Sequence, residues 1–197
     1  MSDRLEPYRA KRDPDRSGEP RGSSRGSSGS RYAIQHHAAS SDHYDLRLEH
    51  DGVLLSWAVP KGPSTDPREK RLATRTEDHP VDYADFEGRI PEGEYGAGEV
   101  IVWDAGTWRS TTQDDDGAVS VDEALGRGHL SFEVSGRKLT GGYTLQHLRG
   151  DDWLLIKKGD DGSDARRNPT STEPESVQSG LTVQDMADRM DRQEGDE

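Results

Sequence analysis

The sequence contains no cysteine, only two phenylalanines and no long apolar segment. The absence of cysteine excludes disulfides, a thiol nucleophile and metal sites built from thiolates. No stretch approaches the ~20 apolar residues of a membrane-spanning helix, and no apolar signal segment follows Met1. Hydrophobic residues are only 28% of the 197-residue chain, and the mean hydropathy is −1.06. We therefore expect a soluble, cytoplasmic protein of one domain, with tails too polar to pack.

Positive charge is also in short supply. The chain carries 26 basic and 39 acidic side chains, for a formal net charge of −13. Residues 1–80 are almost balanced, with 14 basic and 13 acidic groups, so the excess acidity lies in the rest of the chain. Contacts with phosphate supply most of the affinity of nucleic-acid binding. Such a function would need a local basic site here, or high salt that screens the repulsion.

Turn residues and alternating apolar residues divide the chain into three parts. Residues 1–30 form a charged arm that ends in a Gly/Ser/Arg linker at 21–30, which we expect to be flexible. Residues 31–158 contain short strand patterns separated by turns, which predicts an all-β domain, a small antiparallel barrel or sandwich. Residues 159–197 are acidic and polar, which predicts a largely disordered tail with one short helical pattern at 181–190.

The clearest strand signal is a hairpin. Residues 44–50 and 53–59 are rich in apolar and β-branched or aromatic residues and flank Asp51-Gly52, a dipeptide typical of two-residue hairpin turns. Further strands are predicted at 72–77, 99–103, 129–134, 143–148 and 153–158, turns at 104–106 and 149–152, and a short helix at 121–125.

The densest group of reactive side chains lies at the start of this hairpin. Alternate side chains of a strand share a face, so His43, Asp45 and Arg47 project from one side. His37 can return across a short loop as a third ligand. Two imidazoles and one carboxylate suit Mn²⁺, Fe²⁺ or Zn²⁺, and a guanidinium beside the cation suits a phosphate. The alternative is that these side chains are polar only because this face of the strand is exposed to solvent, and that they bind no metal.

Four other residues near this group bear on the chemistry. Lys61 follows the hairpin and Arg71 opens the next predicted strand, although each alone is typical of an ordinary surface charge. His79 could donate a hydrogen bond to a phosphate or protonate a leaving group. Tyr83 could supply a hydroxyl or simply pack.

Three functions fit these residues. A phosphoesterase would use the cation to neutralise phosphoryl charge and activate water. An Fe²⁺-dependent oxygenase uses a similar two-histidine, one-carboxylate set, with Arg47 then holding a co-substrate carboxylate. A non-catalytic module that binds nucleic-acid ends is the third.

Three longer strings carry a resemblance to a known family. They are QHHAASSDHYDLRLEHDGVLLSWAVPKGPS, TEDHPVDYADFEGRIPEGEYGAGEVIVWDAGTW and WLLIKK. The chain resembles, over about residues 5–158, the 3′-phosphoesterase domain of bacterial DNA ligase D, which also occurs as stand-alone bacterial and archaeal proteins. The resemblance implies a closed β-barrel and a Mn²⁺-dependent hydrolase. Such an enzyme removes a 3′-terminal ribonucleoside and then the 3′-phosphate, leaving a 3′-hydroxyl for ligation in non-homologous end joining.

The resemblance also implies roles for particular residues. The metal ligands of the family match His37, His43 and Asp45. Its catalytic phosphate-contacting groups match Arg47 and His79, with Tyr83 also required for activity. Positions that assist substrate binding or the nucleoside-removal step match Gln35, Lys61, Arg71, Glu77, Arg12, Asp13 and Glu19.

The expected partners are DNA ends or DNA ends that terminate in ribonucleotides. Because the sequence holds no ligase or polymerase domain, we expect a separate ligase or polymerase, with end-binding proteins, to act in trans. We expect a monomer that contacts no membrane.

Overall fold

The computed structural model describes residues 3–22 and 29–195. The chain starts with helices α1 (Glu6–Lys11) and α2 (Pro14–Ser17). The strands are β1 (Arg31–Ala38), β2 (Asp42–His50), β3 (Val53–Val59), β4 (Lys70–Arg75), β5 (His79–Pro80), β6 (Gly88–Ile90), β7 (Gly98–Ser110), β8 (Gln113–Asp114), β9 (Gly117–Ala118), β10 (His129–Gly136), β11 (Thr140–Arg149) and β12 (Asp152–Lys157). Helix α3 (Val121–Gly126) precedes β10, a 3₁₀ helix spans Val81–Asp85, and helices α4 (Pro169–Thr172) and α5 (Val183–Gly195) follow β12.

Eight antiparallel strands close into a barrel, as the family resemblance implies. Their order around the barrel is β1-β2-β3-β4-β12-β11-β10-β7, and β7 pairs with β1 to complete the ring. The predicted hairpin is formed by β2 and β3. Its turn places Asp51 and Gly52 at φ angles of 48° and 78°, in the left-handed region that this short turn needs.

Two apolar clusters lie on opposite faces of the barrel wall. Tyr32 and Ile34 of β1 belong to the large cluster inside the barrel, with residues of all eight strands. Ala33, between them, joins a small outer cluster with Tyr8 of α1 and Tyr83 of the 3₁₀ helix. Successive side chains of a strand point to opposite faces, so the arm covers the outer face of β1 and β2. That face carries His43, Asp45 and Arg47.

The predicted turn at 104–106 is wrong, because β7 runs through it without a break. Asp104 is fully buried, and its carboxylate accepts hydrogen bonds from the backbone N–H groups of residues 137–139 and from the Tyr32 hydroxyl. Aspartate is typical of turns, but Asp104 lies within a strand and stabilises the turn at residues 137–139 between β10 and β11. Residue 106 is a glycine because a side chain there would collide with the backbone carbonyl of Ser135.

Residues 159–195 lie along the barrel, which differs from the predicted disordered tail. The indole N–H of Trp103 donates to the carbonyl of Glu173 at 2.8 Å, and the N–H of Val177 donates to the carbonyl of Val102 at 2.9 Å. Helix α5 starts two residues later than predicted and extends beyond 190; its Met186 is buried and its Asp191 accepts from Arg89. Backbone groups make much of this contact, and hydropathy does not detect them.

The linker predicted at 21–30 lies mostly outside the described residues, at 23–28. No helix in the described ranges is long and apolar enough to cross a membrane.

Candidate active site

The three candidate metal ligands meet where β1 and β2 approach their connecting loop. The antiparallel register places His37 opposite His43, and Asp45 lies two residues further along β2 on the same face. His37 Nδ1 is 3.6 Å and His43 Nε2 is 3.5 Å from Asp45 Oδ2. One ligand atom from each residue lies within 4.8 Å of the others, a spacing that fits bonds of about 2.0–2.2 Å to a shared cation.

Backbone carbonyls orient both imidazoles toward this point. His37 Nε2 is 2.7 Å from the carbonyl oxygen of Gly96, and His43 Nδ1 is 2.8 Å from that of Ser41. A carbonyl only accepts, so each of these nitrogens carries the proton. The other nitrogen of each ring then presents its lone pair beside Asp45. Metal-binding histidines are usually fixed in this way, so the donor set fits a divalent cation.

Arg47 lies directly beside the carboxylate. Burial alone would raise the pKa of Asp45, but the charge of the Arg47 guanidinium holds this pKa well below its usual range. Arg47 Nη2 is 3.3 Å from Asp45 Oδ2. The carboxylate is therefore an anion at neutral pH, and a guanidinium stands next to the point where the three candidate ligands meet.

Gln35 positions Arg47 from behind. Its Oε1 accepts from Arg47 Nε at 3.1 Å, and its Nε2 donates to the carbonyls of Tyr83 and Phe86 at 2.8 and 3.1 Å. Gln35 is 0% exposed, so it contacts no substrate in this arrangement. It links Arg47 to the 3₁₀ helix.

The N-terminal arm closes one side of the site through Arg12. Its guanidinium donates to Glu77 at 2.6 Å and to Glu19 at 3.0 Å, and it lies 4.4 Å from the ring centroid of Tyr8. Tyr83 donates its hydroxyl to the same Glu19 oxygen at 2.9 Å. Burial, followed by the Glu19 charge, raises the pKa of Tyr83 well above its ordinary value, so the hydroxyl keeps its proton.

His79 is neutral, and each of its ring nitrogens has a hydrogen-bond partner. Burial, followed by the charges of Arg47 and Arg12, lowers its pKa well below the ordinary value. Arg12 Nη2 lies 3.2 Å from Nε2, and the Glu77 carbonyl lies 2.8 Å from Nδ1. Arginine only donates and a carbonyl only accepts, so the proton is on Nδ1. The 3.1 Å approach of Arg47 to Nδ1 is then a contact and not a hydrogen bond.

Replacing Arg12 by alanine should raise the pKa of His79, because a cation leaves and Nε2 becomes accessible to water. In the wild-type protein, His79 takes up a proton below pH ~6.5 only when the chain is unfolded, because its pKa is lowered in the folded state. The free energy of unfolding should therefore decrease as the pH falls through that range. Imidazole ¹⁵N shifts followed against pH measure both the titration and the tautomer.

Lys11→Ala is the matched control for this titration. Lys11 is a neighbouring arm cation that also pairs with Glu77, at 3.0 Å, but does not contact His79. Its loss should leave the His79 titration almost unchanged. An unaltered pKa in Arg12→Ala, or a protonated Nε2 in the wild type, would contradict the assigned tautomer.

Most of the predicted site residues lie in or behind one cleft of about 350 Å³. Eight of them line it: Arg12, His37, His43, Asp45, Arg47, Glu77, His79 and Tyr83. Glu19 and Gln35 are buried behind these residues. Three predicted positions lie elsewhere. Asp13 caps α2 by accepting from the N–H of Asp15, Lys61 is exposed, and Arg71 pairs with Glu69.

Several residues of the cleft escaped the sequence analysis. Tyr95 and Gly96 belong to the loop between β6 and β7, and Thr76 lies beside Glu77. The contribution of Gly96 is a carbonyl, which any residue type carries. Tyr95 could have been found from the sequence, because an aromatic residue within the glycine-rich string GEYGAG is a candidate for an exposed loop residue.

The fold and the cleft define a class: a closed β-barrel whose outer wall presents a His/His/Asp donor set beside a buried arginine. Comparison with known proteins identifies the family. Residues 35–147 match the DNA ligase D 3′-phosphoesterase domain, and the chain belongs to that family.

Curated relatives agree. The chain is 52% identical over 159 residues to the multifunctional non-homologous end joining protein LigD of Pseudomonas aeruginosa, covering 78% of this chain and 18% of that protein. It is 43% identical to the LigD protein of Mycobacterium tuberculosis H37Rv, covering 78% of this chain and 20% of the relative. For Mycolicibacterium smegmatis LigD the identity is 39%, with 81% and 21% covered. The chain thus spans about a fifth of the length of these relatives.

Proposed function

We propose that this protein is a Mn²⁺-dependent phosphoesterase that converts the 3′ ends of nucleic acids to 3′-hydroxyls. The observation that carries the proposal is the cleft itself. Ligand atoms of His37, His43 and Asp45 lie within 4.8 Å of one another, which would allow all three to bind one cation, and the Arg47 guanidinium is 3.3 Å from the same carboxylate. A phosphate oxygen between cation and guanidinium would meet positive charge on both sides.

The donor set is of the mixed nitrogen and oxygen type that suits Mn²⁺ and leaves positions open for substrate. A bound divalent cation supplies neutralisation of phosphoryl charge and lowers the pKa of water. The protein residues supply orientation. Arg47, held at Nε by Gln35, keeps N–H groups on Nη1 and Nη2 for the phosphate.

In the hydrolysis of a 3′-phosphate, water forms a bond to phosphorus while the bond from phosphorus to O3′ breaks. The O3′ atom takes a proton, and the products are a 3′-hydroxyl and inorganic phosphate. His79 lies within the cleft but carries no proton on Nε2 while Arg12 covers that atom. Donation from Nε2 therefore requires that Arg12 move and that the ring take up a proton.

The docked arm supports a second activity on the same site. In the removal of a 3′-terminal ribonucleoside, water forms a bond to phosphorus while the bond from phosphorus to O5′ of that nucleoside breaks. The nucleoside leaves with a 5′-hydroxyl and the strand keeps a 3′-phosphate. This diester carries a nucleoside on both sides of the phosphate, so it needs more room in the cleft than a 3′-phosphate does. Arg12 and Glu77 form one wall of the cleft, at 2.6 Å from each other. By their names the relatives act in non-homologous end joining, so we place the reaction before the ligation step of that process.

An end-labelled DNA oligonucleotide with a 3′-phosphate tests the proposal directly. Incubation with Mn²⁺ should yield a 3′-hydroxyl product and free phosphate, and a strand ending in one ribonucleotide should first lose its terminal nucleoside. A salt series belongs in the assay because the −13 chain repels DNA at low ionic strength.

Two results would contradict the proposal. Unchanged 3′ ends at every salt concentration would leave an end-binding module as the better description, provided that the ends are bound. Oxygen consumption with Fe²⁺ and a 2-oxoacid, without phosphate release, would favour the oxygenase.

A further inference from the structure

We propose that Tyr95 is a stacking platform for a nucleobase, namely the base of the nucleoside that carries the reacting 3′-phosphate. The inference rests on the proposed function, because it names the part of the substrate that the cleft recognises beside the phosphate.

Tyr95 stands at the mouth of the cleft with its ring open to solvent. It is 50% exposed, whereas Tyr8 and Tyr83, the other tyrosines near the site, are buried. Tyr95 also lines a second groove of about 410 Å³, whose other residues are Thr76, the cations Lys11 and Arg75, and the anions Glu77 and Asp151. The ring therefore stands where the cleft opens into a groove whose positive and negative side chains balance.

The loop that presents Tyr95 is tied to the metal-ligand group. Gly96, the next residue, offers its carbonyl to His37 Nε2 at 2.7 Å. Turn hydrogen bonds from the N–H of Glu94 to Pro91 and from the N–H of Ala97 to Glu94 hold this loop. Consecutive Cα atoms are ~3.8 Å apart, so the aromatic ring starts next to a residue that contacts a metal ligand. A base that stacks on Tyr95 would therefore lie beside a phosphate bound at the metal-ligand group.

Two cations already approach the ring. Lys11 Nζ lies 5.1 Å and the Arg12 guanidinium 5.0 Å from its centroid. A nucleobase has a π face of its own and can stack on an aromatic side chain whatever its identity. Both cations also pair with Glu77, so stacking, and not charge, is the interaction that this ring offers to a substrate. A single-stranded or frayed 3′ end, whose terminal base is unpaired, is the chemistry that this surface recognises.

Tyr95→Ala tests the proposal on a 3′-phosphate oligonucleotide with Mn²⁺. Loss of base stacking costs about tenfold in affinity, so KM should rise about tenfold while kcat stays within about twofold. Tyr95→Phe keeps the ring and should behave like the wild type. Leu148→Ala removes another exposed apolar side chain, 55% exposed and outside the cleft, and should change nothing.

A binding measurement separates this proposal from the proposed function. The probe is a 3′-hydroxyl DNA oligonucleotide with 2-aminopurine as its last base, whose fluorescence is quenched when the base stacks. Quenching by the wild type and by Tyr95→Phe, but not by Tyr95→Ala, supports the platform even if the wild type fails to hydrolyse the 3′-phosphate. Hydrolysis with equal KM in Tyr95→Ala, or equal weakening in Tyr95→Phe and Tyr95→Ala, overturns it while the phosphoesterase stands.

Discussion

Replacing His43 by alanine should weaken Mn²⁺ binding at least about a hundredfold and reduce hydrolysis of a 3′-phosphate by a similar or larger factor. The variant removes one of three ligands, and loss of an outer-shell partner alone costs about 10–100-fold. His43 suits the test because its side chain is 20% exposed and its loss leaves Asp45 and Arg47 paired. Electron paramagnetic resonance of free Mn²⁺ measures affinity without reference to activity.

His36→Ala is the matched control. His36 neighbours His37 in sequence but stacks on Tyr44, with ring centroids 4.3 Å apart, and bonds to Asp42 at 2.8 Å. This variant should lower the melting temperature and leave Mn²⁺ affinity as it was. Equal affinity in His43→Ala and the wild type would show that the donor set does not hold the metal.

The contrast between these two histidines shows what strand periodicity can predict. Alternation is a local rule, so it correctly placed His43, Asp45 and Arg47 on one face, and the same rule accounts for the opposite orientation of His36 relative to His37. It also indicated the hairpin around Asp51-Gly52 and the β class of the barrel. Each of these inferences needs only neighbours in the chain.

Contacts across long stretches of sequence were not predictable from the same rules. The contact of Arg12 with His79 spans 67 residues and depends on how the arm docks. Periodicity also cannot reveal that Asp104 serves a distant turn or that the tail docks through backbone groups near Trp103. The family resemblance supplied Arg12 and Glu19 as functional positions, but only the structure shows that they hold each other at 3.0 Å.

Gln35 shows a further limit of sequence reasoning. The family resemblance implied that Gln35 assists substrate binding. The structure instead places both ends of its amide in contact with the protein, one with Arg47 and the other with the carbonyls of Tyr83 and Phe86. Whether a polar side chain faces the cleft or supports a neighbour depends on packing from elements beyond its own strand.

Replacing Arg47 by lysine should lower kcat about 10²–10³-fold, the usual cost of one lost donor to a developing oxyanion. Lysine keeps the charge but loses the planar fork that holds two phosphate oxygens. It also loses the Nε hydrogen bond to Gln35. Mn²⁺ affinity should change little, because Arg47 is not a ligand. The expected pattern is therefore the reverse of that for His43→Ala, in which metal affinity falls first.

Gln35→Leu separates orientation of the guanidinium from its charge. Leucine has a similar size but accepts no hydrogen bond, so Arg47 stays and loses its support; we expect kcat to fall about tenfold with unchanged Mn²⁺ affinity. Arg109→Lys is the control, since Arg109 is an exposed strand arginine that pairs with Glu133 away from the cleft. If Arg47→Lys kept full kcat, a point charge would be sufficient at this position, and the two-oxygen clamp on the phosphate would have to be abandoned.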